Sequence, residues 1–208
     1  MARLTWIPLT ALALVTGLAL ASTASAQAPP PQGFQPLNLL VTPGRIADVH
    51  SARGSNPTIA AAYQGLMRHG AGLLGRTPNP IHGVLSIPGY YTSQQTTMQR
   101  LTRQIRGDAA AAHGLALAAA FGASPDHARK AEEILFAWVD QLTHATDGPY
   151  QFLNAHGDTA LVIAYSFPRF CYAYDILRSL GAIDASERAR FETWLRRFVA
   201  YVQSRPGQ

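Results

Sequence analysis

Two stretches of this chain gather side chains of the kind that bind sugars. Residues 75–92 contain Ile81-His82-Gly83 and then Pro88-Gly89-Tyr90-Tyr91; residues 144–157 contain Tyr150-Gln151-Phe152-Leu153-Asn154-Ala155-His156-Gly157. Tyrosine rings stack on pyranose faces, while amides and imidazoles bond hydroxyls or carboxylates. Arg169 follows Pro168 in an otherwise apolar run. A cation so placed either has a partner or reaches a cleft. Asp175, its nearest helical counter-charge, is six residues away, a poor spacing for a pair.

The same residues have plainer roles open to them. Tyr90 and Tyr91 suit covers over helix ends, and His156 suits a turn leading into a helix capped by Asp158. His113 lies among alanines and reads as a packed histidine rather than a catalyst. Cys171 is the chain's single cysteine, so no internal disulfide is possible, and its apolar neighbours make it a small core residue. There is no HExxH, no calcium-loop spacing, no phosphate loop, no dinucleotide fingerprint and no GxSxG, so neither a metal nor a cofactor is expected. Paired-carboxylate hydrolysis stays open, with Asp147 and Asp158 the only carboxylates near the two stretches.

The elements that must position these residues read as helices throughout. Thr42-Pro43, Asn56-Pro57 and Ser124-Pro125 each place a capping residue before a proline at the first helical position. After Asn56 the apolar residues Ile59, Tyr63, Leu66, Met67 and Leu74 keep helical spacing. A long helix is expected from about Ser93 to Phe121, with Gly107 a place for it to bend or split and Asp108 a new cap. Another runs from Ser124 to about Thr143 on a stripe of Ala131, Leu135, Trp138, Val139 and Leu142. Asp158 opens a further helix through Leu161, Val162 and Tyr165 to Leu180, kinked near Ala164–Phe167 by Pro168 and closed by Gly181. Asp184 and Glu187 have capping-box spacing ahead of a last helix burying Phe191, Trp194, Leu195, Phe198 and Val202. No segment alternates with period two. The expected fold is all-α. Antiparallel helices place the short turns 122–124 and 181–184 at one end and the long connections 75–92 and 144–157 at the other, where loops over a rigid scaffold would build a site.

Residues 1–26 read as a secretory signal: Arg3, an apolar stretch to Ala21, then Ala24-Ser25-Ala26 as the cleavage pattern. Residues 27–41 form a Pro/Gln-rich leader and 42–208 one helical domain. Location in the periplasm, or secretion, is therefore expected, with no membrane association after cleavage. Arg3 is the signal segment's only charged side chain, so removing it takes the net charge from +5 to +4. Lys130 is the lone lysine, and the arginine bias suits forked binding of carboxylates, although composition alone also accounts for it. An exported chain with no basic run and no aromatic RNA-binding signature is not expected to bind nucleic acid.

Three stretches resemble the alginate lyase superfamily of α/α-toroid polysaccharide lyases: Arg106-Gly107-Asp108-Ala109-Ala110-Ala111-Ala112-His113-Gly114-Leu115-Ala116-Leu117, the helix from Ala128 to Trp138, and Tyr172-Ala173-Tyr174-Asp175-Ile176-Leu177-Arg178 followed by Ser186-Glu187-Arg188 through Trp194-Leu195. The resemblance implies antiparallel helical hairpins forming part of an incomplete toroid. It implies an acidic polysaccharide as partner and β-elimination as chemistry: a neutralising group binds the C6 carboxylate, a Tyr or His takes the C5 proton, and a Tyr protonates the leaving O4. Under that reading Tyr90, Tyr91, Asn154, His156 and Arg169 bind substrate. The family's catalytic Asn-His pair and later Tyr are expected beyond residue 208, since Asn154-Ala155-His156 comes one helix too early. A portion truncated at its C-terminus is the expectation. A non-catalytic polysaccharide-binding scaffold and a sugar-acting toroid hydrolase are the alternatives.

Overall fold

The computed structural model describes residues 41–90, 92–147 and 158–204. The signal segment, nearly all of the leader, and the candidates Tyr91, Asn154 and His156 lie outside the described residues. Among those described, the chain is mostly helical: α1 Pro43–Ala52, α2 Pro57–Leu73, α3 Gln95–Ala120, α4 Pro125–Gln141, α5 Thr159–Ser166, α6 Pro168–Ser179 and α7 Ala185–Gln203. None of these helices is long and apolar enough to cross a membrane.

The helix starts follow the sequence signals, with two qualifications, at Ser124 and at Asp158. Ser124 precedes α4 without a side-chain cap bond. The Thr42 hydroxyl accepts the Arg45 N–H and the Asn56 amide oxygen accepts those of Thr58 and Ile59, while Asp184 and Glu187 close a complete capping box. Asp158 departs from expectation. Its carboxylate makes no cap bond to α5 and instead accepts the Tyr90 N–H at 2.8 Å. Phe167 separates α5 from α6, because Pro168 has no N–H to continue the ladder. Gly122 and Gly181 end α3 and α6 with φ of 95° and 71°, left-handed values that suit glycine at a helix C-terminus.

Two short strands correct the purely helical expectation. β1 (Gly83–Leu85) pairs in parallel with β2 (Leu142–Ala145), with an irregularity in register after Gly83. Strands of three and four residues are too short to leave an alternating pattern in sequence, and they exist because α3 and α4 form the crossover a parallel pair requires. The pairing brings the two long connections together, as their shared end predicts. Thr159 knits them further: its hydroxyl accepts the Ile87 N–H at 2.8 Å and donates to the Thr146 carbonyl at 3.0 Å. The two short turns meet at the opposite end, where Ala123, Ser124, Leu180 and Ala182 line one shallow pocket.

The core joins the buried faces of α3, α4, the α5–α6 bend and α7, and its aromatic part is a ring cluster between α4, the bend and α7. Phe167 stacks on Trp194 at 5.1 Å, Tyr174 stacks on Phe191 at 4.1 Å, and Phe170 and Phe198 meet Trp194 edgewise or tilted. Trp194 donates its indole N–H to the Leu142 carbonyl at 3.0 Å, so this core also holds the start of β2. By contrast α2, whose apolar residues keep helical spacing, buries only Gly70. A Cβ there would sit 2.6 Å from the Ala118 methyl, so glycine is what lets α2 approach α3.

α3 runs unbroken through Gly107, and Asp108 caps nothing. It is fully buried and its carboxylate accepts from Arg76 Nε at 2.9 Å, the Asn79 N–H at 2.7 Å and Trp138 Nε1 at 2.8 Å. Gly107 leaves room for the Arg76 guanidinium, which would lie 2.8 Å from a Cβ at that position. Removing one partner of a buried pair leaves the rest unsatisfied, at about 3–5 kcal/mol. Asp108→Ala should therefore lower unfolding free energy by about that amount in urea titrations followed by circular dichroism. Arg76→Gln should cost less, because Arg76 is partly solvated and two N–H donors remain on the carboxylate.

Candidate functional site

The site is built on α3 and the α5–α6 bend. Positions 106 and 113 on α3 are seven residues apart and so share a face. Asp108, two residues from Arg106, falls on the other side, toward α4. On the facing strip Tyr165 and Ser166 end α5, and Arg169 lies in the first turn of α6. The break at Phe167 buries that ring against Trp194, and Tyr165 before it and Arg169 after it both reach the same cleft. Arg106, Tyr165, Ser166 and Arg169 line a cleft of about 380 Å³.

Charge in the cleft is one-sided. Arg106 places its guanidinium 5.7 Å from the centre of the Tyr165 ring, an attractive cation–π arrangement. Arg76, Arg129, Arg190 and Arg196 each form an ion pair with a carboxylate. Among the described residues no ion pair engages Arg106 or Arg169. Ser166 is 1% exposed and its hydroxyl has no hydrogen-bond partner among the described residues, an orphan that normally has an explanation in a native fold. Two guanidinium groups, an exposed ring and an unsatisfied hydroxyl fit an anionic, polyhydroxylated ligand.

Behind this cleft lies His113. Its ring meets that of Tyr172 at 5.6 Å, and Nε2 is buried without a partner among the described residues. Burial first, and then the positive charge of Arg169, hold its pKa below the ordinary histidine value. A packed histidine was the expectation, yet its unsatisfied nitrogen and its coupling to Arg169 tie it to the cleft.

Of the two expected site residues that are described, Tyr90 and Arg169, only Arg169 lines this cleft. Tyr90 is 48% exposed at the start of α5, held through Asp158, so the structure separates it from Arg169 by the length of α5. The cleft thus lies along a helix flank and not on the long-connection end. There His82 Nδ1 and the Gln141 side chain lie 2.8 Å apart, and the Asp147 carboxylate accepts from the Tyr201 hydroxyl. Cys171 is a half-buried thiol pushed up to about 11 by burial, which leaves it protonated and unreactive. The sequence reading missed Arg106, Tyr165 and Ser166. A signal existed: Arg106/His113 and Tyr165/Arg169/Tyr172 are stripes at i+7 and at i+4, i+7. No group of three or more His, Cys, Asp or Glu among the described residues is placed to hold a metal. The chain matches no family model, no curated protein and no solved structure.

A second cluster of charge sits at the short-turn end, where Glu132 of α4 meets Glu187 and Asp184 at the start of α7. Burial, a hydrogen bond to Glu187 and the two neighbouring negative charges push the Glu132 carboxyl from 4.5 up to about 7. The folded state therefore holds a proton that the unfolded state releases. This stabilisation is complete below pH 4.5 and is lost as the pH rises to about 7. Glu132→Gln should flatten that dependence. Its melting temperature should exceed the parent's at pH 8 and match it near pH 4.5 in thermal scans.

Proposed function

We propose that this chain is part of an exported polysaccharide lyase that acts on uronic-acid polymers by β-elimination, and that it holds the polymer in the Arg106–Arg169 cleft. One observation carries the reading: two guanidinium groups without carboxylate partners among the described residues converge beside an exposed tyrosine ring and an orphan hydroxyl. A uronate needs these features, a fork for its carboxylate, a flat ring for its pyranose face and donors for its hydroxyls. Consistent support comes from the three stretches similar to the alginate lyase superfamily and from the antiparallel helices, which this reading takes as part of an α/α toroid.

In the elimination, the guanidinium groups would neutralise the C6 carboxylate and so stabilise charge that develops when the C5 proton leaves. Arg169 and Arg106 take that role here, and Tyr165 supplies the stacking surface. Tyr90, Tyr91, Asn154 and His156 remain proposed contacts further along the polymer.

A second reading, a polysaccharide-binding module without elimination, is favoured by the cleft's own make-up. Each of its lining groups serves binding, and His113 is shielded inside the wall. Incubation with polymannuronate, polyguluronate and glucuronan separates the two. Growth of the ultraviolet absorbance of a 4,5-unsaturated uronate establishes the lyase, whereas polymer binding without it supports the module. In either case Arg106→Gln and Arg169→Gln should each weaken oligouronate binding roughly tenfold or more, the loss of about 1.5–3 kcal/mol expected for a charge-assisted hydrogen bond. Unchanged affinity in both variants would remove the cleft from the binding site.

A further inference from the structure

We infer that the anion site continues from the Arg106–Arg169 cleft along α3 to a second guanidinium subsite at Arg103, beside Gln99, so that the protein grips successive uronates of one polymer chain and not a single sugar. This rests on that cleft being the uronate site proposed above.

The register of the helices lays out the track. Arg106 stands 5.7 Å from the centre of the Tyr165 ring, and the His113 ring stands 5.6 Å from that of Tyr172. Positions 106 and 113 are as far apart in sequence as 165 and 172, so α3 and the α5–α6 run lie side by side, in step and pointing the same way. One turn back toward the start of α3, the same register sets Arg103 level with Leu161 and Val162. A further turn back, Gln99 comes level with Asp158, whose carboxylate holds the Tyr90 N–H at 2.8 Å. Gln99, Arg103 and Arg106 follow the i, i+4, i+7 pattern of one helix face, and all three are exposed. Arg103 Nε donates to the Gln99 carbonyl at 3.3 Å, so its side chain lies back along that face toward the start of α3. On α5, Leu161 and Tyr165 are both exposed and i, i+4 related, and they supply apolar surface beside the arginines.

Charge along this strip has one sign. Asp108 is the only acid of α3, and it is buried against Arg76. α5 has no acid at all, and Asp175 of α6 is buried. Among the described residues no ion pair engages Arg103, Arg106 or Arg169. One exposed arginine is ordinarily only hydrated, but arginines repeated turn by turn beside apolar surface match a partner that repeats its own charge. Arg103 and Arg106 are about 4.5 Å apart along the helix axis, close to the advance of one sugar in a linear polysaccharide. A polyuronate carries a carboxylate on every sugar. With one of them forked in the cleft, its neighbour is led past Arg103. Arg100 is exposed as well, but it lies about 120° round α3 from Arg106, off the strip, and so serves as the internal control.

NMR titrations of the full chain with mannuronate mono-, di- and tetrasaccharides test the track, because they read weak and tight binding alike. Affinity should rise about tenfold or more from monosaccharide to tetrasaccharide, as one added charge-assisted hydrogen bond requires, and the gain should shrink as salt is raised. Arg103→Gln should lower tetrasaccharide affinity about tenfold and leave that of the monosaccharide unchanged. Arg106→Gln should weaken both, and Arg100→Gln neither. Glutamine matches arginine in helix propensity, so α3 should keep its circular dichroism in all three variants. Affinity independent of length overturns the track and leaves a single-sugar cleft. Equal losses in Arg103→Gln and Arg100→Gln overturn it in favour of a diffuse positive field, and equal binding of neutral mannotetraose removes charge as its basis. Failure of every uronate to bind, or parental affinity in Arg106→Gln, removes the cleft itself.

Discussion

A single carboxylate with no access to water organises the first half of this molecule. Asp108 sits midway along the longest helix and collects an arginine and a backbone N–H from the segment after α2, and an indole N–H from α4. An ionised group at that depth is tolerated only because three donors replace the water it has lost. The consequence is positional. With Arg76 and Asn79 fixed against α3, the chain that follows is led toward β1, where it meets the residues after α4. The parallel strand pair, the Thr159 junction and the placement of Tyr90 all lie downstream of that anchor.

The second half is organised by aromatic packing. Phe167 occupies the break between α5 and α6, and its stacking on Trp194 explains why the break is a fixed bend and not a loose joint. Ring pairs of this kind contribute about 0.5–1.5 kcal/mol each beyond the area they bury. Trp194 also donates to the Leu142 carbonyl, so the aromatic cluster and the strand pair support each other. The bend in turn puts Tyr165 and Arg169 on the same side, although they belong to different helices.

α3 thereby carries opposite electrostatics on its two sides. Toward α4 it buries a carboxylate whose charge is fully engaged, and toward α5 and α6 it presents Arg106 and His113, which form no ion pair among the described residues. Pairing Arg106 internally would have stabilised little, since exposed ion pairs contribute about 0–1 kcal/mol. Without an ion pair among the described residues, it and Arg169 leave this flank of α3 positive.

Much of the scaffold was legible in the residues. Proline after Thr42, Asn56 and Ser124, the Asp184/Glu187 box, Gly181 and the break at Pro168 act through local backbone chemistry, and local chemistry is written in short stretches of sequence. The ordering of turns and long connections followed from connection lengths and the antiparallel succession of helices. Long-range partnership was not legible. Asp108 beside Gly107 has the look of a cap, and only the arrival of Arg76, Asn79 and Trp138 from 29 to 32 residues away makes it a buried hub. The strands were invisible because their pairing partner lies beyond two intervening helices. Arg169 stood out because it is a charge in an apolar run. Arg106 did not, because an arginine on a polar helix face looks the same whether it meets water or a cleft. The sequence determined which segments are helices and where most of them begin, and the tertiary structure decided which charges those helices satisfy and which they leave facing one another. The division follows from range: capping and helical periodicity act within a few residues, whereas burial and pairing of charge depend on what another part of the chain brings alongside.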